Sequence, residues 1–488
     1  MDLTVTRAQN YTSNHATSPS SWHPFYREMR PYWEMAEDIK KGTPAIKEAT
    51  IKYLPQEPKE KDQNYLQRLN RAIFHNISSK TISSLVGLGL RRSVTLGTDA
   101  PDKLKDMVDD VDLCGSNLDQ FVQEVLEESI WKGHTFIWVD LQDAPDVRTK
   151  EAFKNSQVRP YFVHIAPEQV VNWRHTSIKG RQILTMVSTL EPVEEEDGAF
   201  GSKVVPYHRV YRLVTDDEGT PYVKWELYNQ EDSIVEEGIV ANTDEIPLYP
   251  VYSRKVDTFK SVPMLLDMYY LNIRHYQVAS DRSYHLHLCA VPFLELKGRV
   301  DTSDMIIIAP NTAIDIPADG GIRWVELEGK TLDAQLKELQ SLEMRMYTIG
   351  ISTFGRQAVE RRTATEASQD FFTANSDLHR VLRNLKNSLE RAFDTAAGML
   401  FIKNRGGLNL SIDYDFLGVN PQELQAMYDA YDRTLLPAEE VTKYLVRKQL
   451  TSDEYDPVNP VGTFKPEKEQ MIAEMVAVDD ASVGDDDS

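Results

Sequence analysis

A chain of 488 residues, 41% apolar and 27% charged, is too long for one small core and predicts two to four domains. Its net charge of −22 excludes a tight, sequence-specific duplex binder, which presents a concentrated basic face, though not a protein past which nucleic acid slides weakly. The two cysteines, Cys114 and Cys289, form neither a disulfide framework nor a zinc-type spacing, and no run of eighteen apolar residues spans a membrane. The polar first 21 residues lack the apolar stretch of a signal peptide. The expectation is a cytoplasmic origin, a reducing compartment, no metal and no other cofactor.

In chain order, residues 1–21 read as disordered or extended. Residues 22–40 hold an aromatic cluster, Trp22, Phe25, Tyr26, Tyr32 and Trp33, which Pro24 and Pro31 break into short helices docked on a neighbouring surface. Residues 62–86 predict one amphipathic helix, with Leu66, Leu69, Ile73, Ile77 and Leu85 at helical spacing, Phe74 beside them, and Gly87 and Gly89 ending it. A helix over 118–132 buries Phe121, Val122, Val125 and Leu126. Ser116 and Asp119 fit a capping box, Gly133 stops it, and a strand follows over 134–140. Strands are expected at 161–165, 182–190, 207–215, 222–228 and 234–240 from their β-branched and aromatic residues. The acidic run 194–197, with Gly198 and Gly201, reads as an exposed loop.

Near Ser261 the pattern turns helical. Ser261 and Pro263 open a helix over 262–288 whose apolar residues spread round several faces, so its own chain or neighbouring copies bury it on several sides. A β-type insert (291–327) follows, with strand-like runs at 291–296 and 305–308 and a turn at Gly320 and Gly321. A second helix occupies 331–349, then a loop over 350–362, then a helix over 363–404. That last helix would span ~60 Å at 1.5 Å per residue, far above average helix length. Thr331 and Thr363 serve as N-caps, Thr363 with Glu366 as a second capping box. Beyond Gly406 and Gly407 come a strand over 408–414 and three short helices announced by Pro421, Pro437 and Pro466. The Asp-rich tail is expected to be disordered.

Motifs for catalysis are missing. The glycines at 87 and 89 follow a helix instead of a strand, so they make no dinucleotide fingerprint. His285 and His287 stand two apart on a helix and face different directions, which makes them packing or interface histidines rather than metal ligands. No GxSxG, Walker A or kinase signature occurs, and no enzyme is expected. The 350–362 loop carries Arg356, Arg361 and Arg362 against one acid, Glu360. These arginines are either solvated loop residues or contacts to phosphates.

Several stretches resemble portal proteins of tailed bacteriophages. NRAIFHNISSKTISSLVGLGLRR (70–92) is similar to a helix that opens one portal subgroup. RPYFVHIAPEQVVNWR with the following KGRQILTMV resembles its wing sheet, and LNIRHYQVASD with CAVPFLELKG resembles a stem helix passing into a clip. The resemblance covers roughly residues 60–450, and the shared order of elements is more specific than any one motif. It implies an α+β portal fold. Its parts would be an N-terminal arm (1–60), a wing (61–260), stem helices (261–288 and 331–349), a clip (289–330), a tunnel loop (350–362), a long helix (363–405), a C-terminal wing strand with crown helices (406–478) and an acidic tail (479–488).

The resemblance also implies a homo-oligomeric ring of about twelve subunits at one capsid vertex of a virion. The large terminase, the major capsid or scaffolding protein and head-completion or tail proteins would dock on it. Double-stranded DNA would pass through non-specifically, with no membrane, no cofactor and no catalytic residues. In that reading Arg356, Arg361 and Arg362 touch phosphates in the channel without reading bases. Two other classes compete. A metal-dependent hydrolase with an inserted helical domain lacks its ligand motifs, and a helical scaffold without a channel does not account for the β insert between two helices.

Overall fold

The computed structural model describes residues 18–142, 158–178, 180–198, 200–290, 293–297, 320–325, 330–351 and 364–410, together with 427–431, 433 and 441. The chain divides into a unit over 1–411 and a second over 412–488. In the second, 427–431 are helical and the Arg433 N–H bonds the Asp429 carbonyl at 3.1 Å. The expected short helices at Pro421, Pro437 and Pro466, the strand residues beyond 410 and the acidic tail lie outside the described residues. The first unit is α+β.

Helix α1 (Pro24–Lys41) runs unbroken through Pro31, contrary to the short helices expected. An internal proline costs about 3 kcal/mol. Against it stand six buried residues, Tyr26, Met29, Trp33, Met35, Ala36 and Ile39, the larger of which contribute roughly 1.5–3 kcal/mol each. That face packs on its own chain: the Trp33 indole N–H donates to the Lys132 carbonyl at 3.0 Å. Helix α2 (Thr43–Glu48) follows the left-handed Gly42.

The expected helix over 62–86 is two helices, α3 (Asp62–Arg71) and α4 (Ile77–Gly89). Ala72 turns extended at the end of α3. Asn76 then caps α4 by accepting the Ser79 N–H at 3.0 Å. Ile73, assigned to the buried face by periodicity, is 72% exposed on the connector. A short strand, β1 (Thr95–Leu96), and helix α5 (Asp102–Val108) lead to α6 (Leu118–Lys132), which lies where expected. Its capping box is Asn117 with Gln120, not Ser116 with Asp119. Gly133 ends it at φ 93°, where a Cβ would stand 2.5 Å from Ser261 Oγ and 2.8 Å from the Val262 carbonyl carbon. Only glycine fits that crossing.

Strand β2 (His134–Leu141) is the centre of a three-stranded antiparallel sheet in the order β3 (Pro160–Ile165), β2, β9 (Leu248–Tyr252). Its residues 134–139 are all buried, so both faces of the sheet are covered. Phe162, paired with Val139, meets Phe121 of α6 and Phe393 of the long C-terminal helix. On the opposite face Phe136 contacts Phe259, and Trp138 contacts Tyr211 at 4.2 Å between ring centroids.

Tyr211 belongs to a five-stranded antiparallel meander, β4 (Val170–Ile178), β5 (Arg181–Asp197), β6 (Gly201–Thr215), β7 (Pro221–Tyr228) and β8 (Ile234–Val240). The acidic run 194–197 is strand rather than loop. Glu194 to Asp197 pair in register with Val204 to Gly201, because a tight turn at Gly198 carries the ladder to the hairpin's end. Strands β4 and β9 were not anticipated. Ser261, expected to start a helix, lies buried in β11 (Lys260–Ser261), which pairs with β10 (Lys255–Asp257).

Candidate functional site

The remaining elements of the first unit form a helix–hairpin–helix–helix series. It comprises α7 (Leu266–Cys289), a ribbon of β12 (Phe293–Lys297) with β13 (Gly321–Val325), α8 (Lys330–Ile351) and α9 (Ala364–Met399). The register of β12 and β13 is antiparallel, Phe293 opposite Val325 and Lys297 opposite Gly321. Gly321 is therefore a strand residue instead of a turn, and the apolar run 305–308 lies outside the described residues. Thr331 sits inside α8 and does not cap it. Helix α9 has 36 residues and ends at Met399, short of 404; Phe401 takes a left-handed φ of 57° just beyond it. A last strand, β14 (Leu408–Asn409), pairs with β1.

Helices α7 and α8 run antiparallel. The His275 Nε2 lies 3.1 Å from a Glu343 carboxylate oxygen, whereas ten residues further along α7 His285 bonds Gln335, eight residues earlier on α8. Between these polar pairs Val278, Leu339 and Leu342 are buried, with Leu271 and Ala279 packed against them. Burial holds the His275 imidazole below its ordinary range, while the Glu343 hydrogen bond acts in the other direction.

The N-terminal half of α7 is fastened to the preceding helices. Asn272, fully buried, accepts from both the N–H (3.1 Å) and the hydroxyl (3.0 Å) of Ser78 at the start of α4. Its amide donates to the His75 carbonyl at 2.8 Å. Tyr269 stacks on Trp131 and donates its hydroxyl to the Trp131 carbonyl. Arg68 of α3 makes a bidentate pair with Glu60 (3.0 and 2.8 Å) and reaches Asp281 of α7 at 3.1 Å, its side chain only 6% exposed. A fork-shaped guanidinium suits this geometry better than an ammonium would. At the same end of the pair, Gly350 of α8 approaches Thr81 of α4 so closely that a Cβ would lie 3.3 Å from its side chain.

Among the described residues, apolar side chains of this series are exposed on α7 (Tyr270, Leu286 and Leu288), on α8 and on the ribbon. On α8, Leu336, Met344 and Tyr347 fall within one face at helical spacing and are 38%, 48% and 47% exposed. On the ribbon, Ile322 and Trp324 share the face opposite Arg323, which pairs with Glu295. Of the residues singled out by sequence, His287 bonds Arg71 of α3. Cys114 is exposed and Cys289 half-buried. Arg356, Arg361 and Arg362 lie outside the described residues. Sequence spacing gave no hint of Arg68 or Asn272 as anchors, since each finds its partners on distant elements.

One comparison with known proteins falls on the same series. Residues 264–399 match a family model described as a domain of unknown function, DUF4055. No curated protein matches. A solved structure, the neck of a native GTA particle computed with C12 symmetry, aligns over 72% of this chain and 85% of that one. The identity there is 10% and the TM-score 0.37, values at which the likeness assigns neither fold nor role. Among the described residues no helix is long and apolar enough to cross a membrane.

Proposed function

We propose that the chain is a head-to-tail connector subunit of the portal type, a non-enzymatic ring-forming protein of a virion. The observation that carries this reading is the series just described. An antiparallel helix pair bears a β ribbon at one end, returns to an α+β body, and is followed by a helix of 36 residues laid on that body. The order agrees with the stem, clip, stem and long helix implied by the sequence resemblance. The open apolar face of α8 fits burial against a neighbouring copy.

In this reading the ring sits at one capsid vertex and DNA crosses its channel during packaging and ejection. The ribbon docks the large terminase and later the head-completion or tail proteins, and the capsid or scaffolding protein holds the body. The 350–362 loop presents Arg356, Arg361 and Arg362 to phosphates, while the acidic balance of the chain limits adhesion elsewhere. Light scattering and negative-stain microscopy of the purified full-length chain test the assembly. Closed rings of about twelve copies are expected. A stable monomer at high concentration, with no rings, overturns the proposal.

A further inference from the structure

We propose that His75, His275 and Glu343 form a zinc site that staples the α7–α8 pair to the connector between α3 and α4. The three residues are far apart in sequence and come from three elements. His75 lies on the connector before α4, His275 on α7 and Glu343 on α8. One ligand-type atom from each lies within 4.8 Å of the other two. The His275 Nε2 and a Glu343 oxygen are 3.1 Å apart, close to the ~3.3 Å edge of a tetrahedron with metal–ligand bonds of about 2.0–2.1 Å. The two imidazole rings meet edge to face, centroids 5.9 Å apart. His75 is the exposed member of the three.

The scaffold around the cluster is already fixed. The Asn272 amide holds the His75 carbonyl at 2.8 Å, and Asn272 lies one turn before His275 on the same helix. The Ile77 N–H donates to the same carbonyl at 2.9 Å. The Asn272 side chain thus ties the His75 backbone to the helix that carries His275 without a metal. His275 is 5% exposed, and its Nδ1 is buried with no hydrogen-bond partner among the described residues.

Two neutral imidazoles and one carboxylate are borderline ligands that suit zinc over calcium or magnesium, which prefer all-oxygen shells. Three protein ligands leave one position for water. The site's effect is mechanical: it joins three elements at the foot of the helix pair. This inference rests on the geometry of one chain and stands whether or not the chain forms a ring.

The test uses the full-length protein, stripped with a chelator and titrated with zinc chloride by calorimetry, with thermal unfolding followed in parallel. One zinc per chain at micromolar affinity or tighter is expected, with a Tm that rises with zinc concentration. His75→Ala alters an exposed side chain, so the protein should fold normally and lose the zinc-dependent rise. Glu343→Gln should weaken binding at least tenfold, whereas Cys114→Ser with Cys289→Ser should leave it intact. Absence of binding to the stripped protein overturns the proposal. So does zinc binding that His75→Ala and Glu343→Gln leave unchanged, since the ion would then sit elsewhere.

Discussion

Single buried polar groups decide more here than the sequence pattern suggests. His134 is fully enclosed, its Nδ1 2.7 Å from Ser261 Oγ and its ring against Trp33, Phe136 and Tyr252. Burial depresses its pKa from 6.5 to about 3. The sign follows directly. Below pH 6.5 the unfolded chain binds a proton that the folded chain refuses, so the contribution of neutral His134 is fully present above 6.5 and is lost as pH falls toward 3. The loss amounts to about 1.4 kcal/mol per pH unit for one proton. Urea unfolding at several pH values between 7.5 and 4.5 should show wild type losing stability faster than His134→Gln by about that slope. Parallel curves would mean that His134 is protonated in the folded protein. The residue was visible in the sequence only as the first position of a strand. Its role depends on Ser261, which local pattern assigned to a helix start but which reaches His134 across Gly133.

At the level of elements, local pattern placed segments with clear end signals or β-branched composition, even where burial does not follow a single face: α6 is buried continuously from Glu128 to Lys132, and of β8 only Val240 is buried. Pattern reading placed helix α6 through its apolar residues and the stop at Gly133, and strand β8 through the β-branched Ile234, Val235, Ile239 and Val240. It failed at residues 72–76. Ile73, Phe74 and Ile77 keep helical spacing across a break that contains no Gly or Pro, and the turn is made instead by an extended Ala72 and the Asn76 cap. Caps were misassigned by one residue at α6 for a related reason, since Ser116 and Asn117 are both good candidates and only the fold chooses. Strands β4 and β9 were missed because Val170 to Ile178 mixes polar and apolar residues and β9 contains Pro250, features that weaken a strand signal. The donors of the proposed zinc site could not be grouped by spacing at all, being 200 and 68 residues apart along the chain. The reassigned cap supplies a direct check. Asn117 accepts the Gln120 N–H at 2.9 Å, and the Gln120 side chain returns a bond to the Asn117 N–H. Asn117→Ala should therefore cost about 1 kcal/mol, read from the urea midpoint, whereas Ser116→Ala should cost clearly less. Equal costs would remove the assignment.

For the whole molecule, the proposed ring makes two demands that can be separated. The first concerns the loop arginines. Replacing Arg356, Arg361 and Arg362 together by Ala should leave rings intact, lower the length of packaged or retained DNA, and weaken its salt dependence, because phosphate contacts carry no sequence information. Full-length, stably held DNA would make them ordinary solvated residues. The second demand concerns α8. Leu336, Met344 and Tyr347 present an apolar stripe to solvent on one helix. The stripe adjoins the face that carries Leu339, Leu342 and Met346, which are buried, the first two against α7. A helix with apolar residues on two faces is expected where a second surface is covered by assembly. Met344→Lys with Tyr347→Glu places a neutralising charge pair on that face. As exposed positions they should change the stability of the isolated fold by no more than about 0.5 kcal/mol each. Burying a charged side chain in a subunit contact costs far more than that, so the double variant should appear as well-folded monomers or small oligomers by light scattering, with an unchanged circular dichroism spectrum. Rings that persist in the double variant would place the contact between copies on another surface, such as the Ile322–Trp324 face of the ribbon. An unfolded double variant would mean instead that the stripe packs within the chain itself.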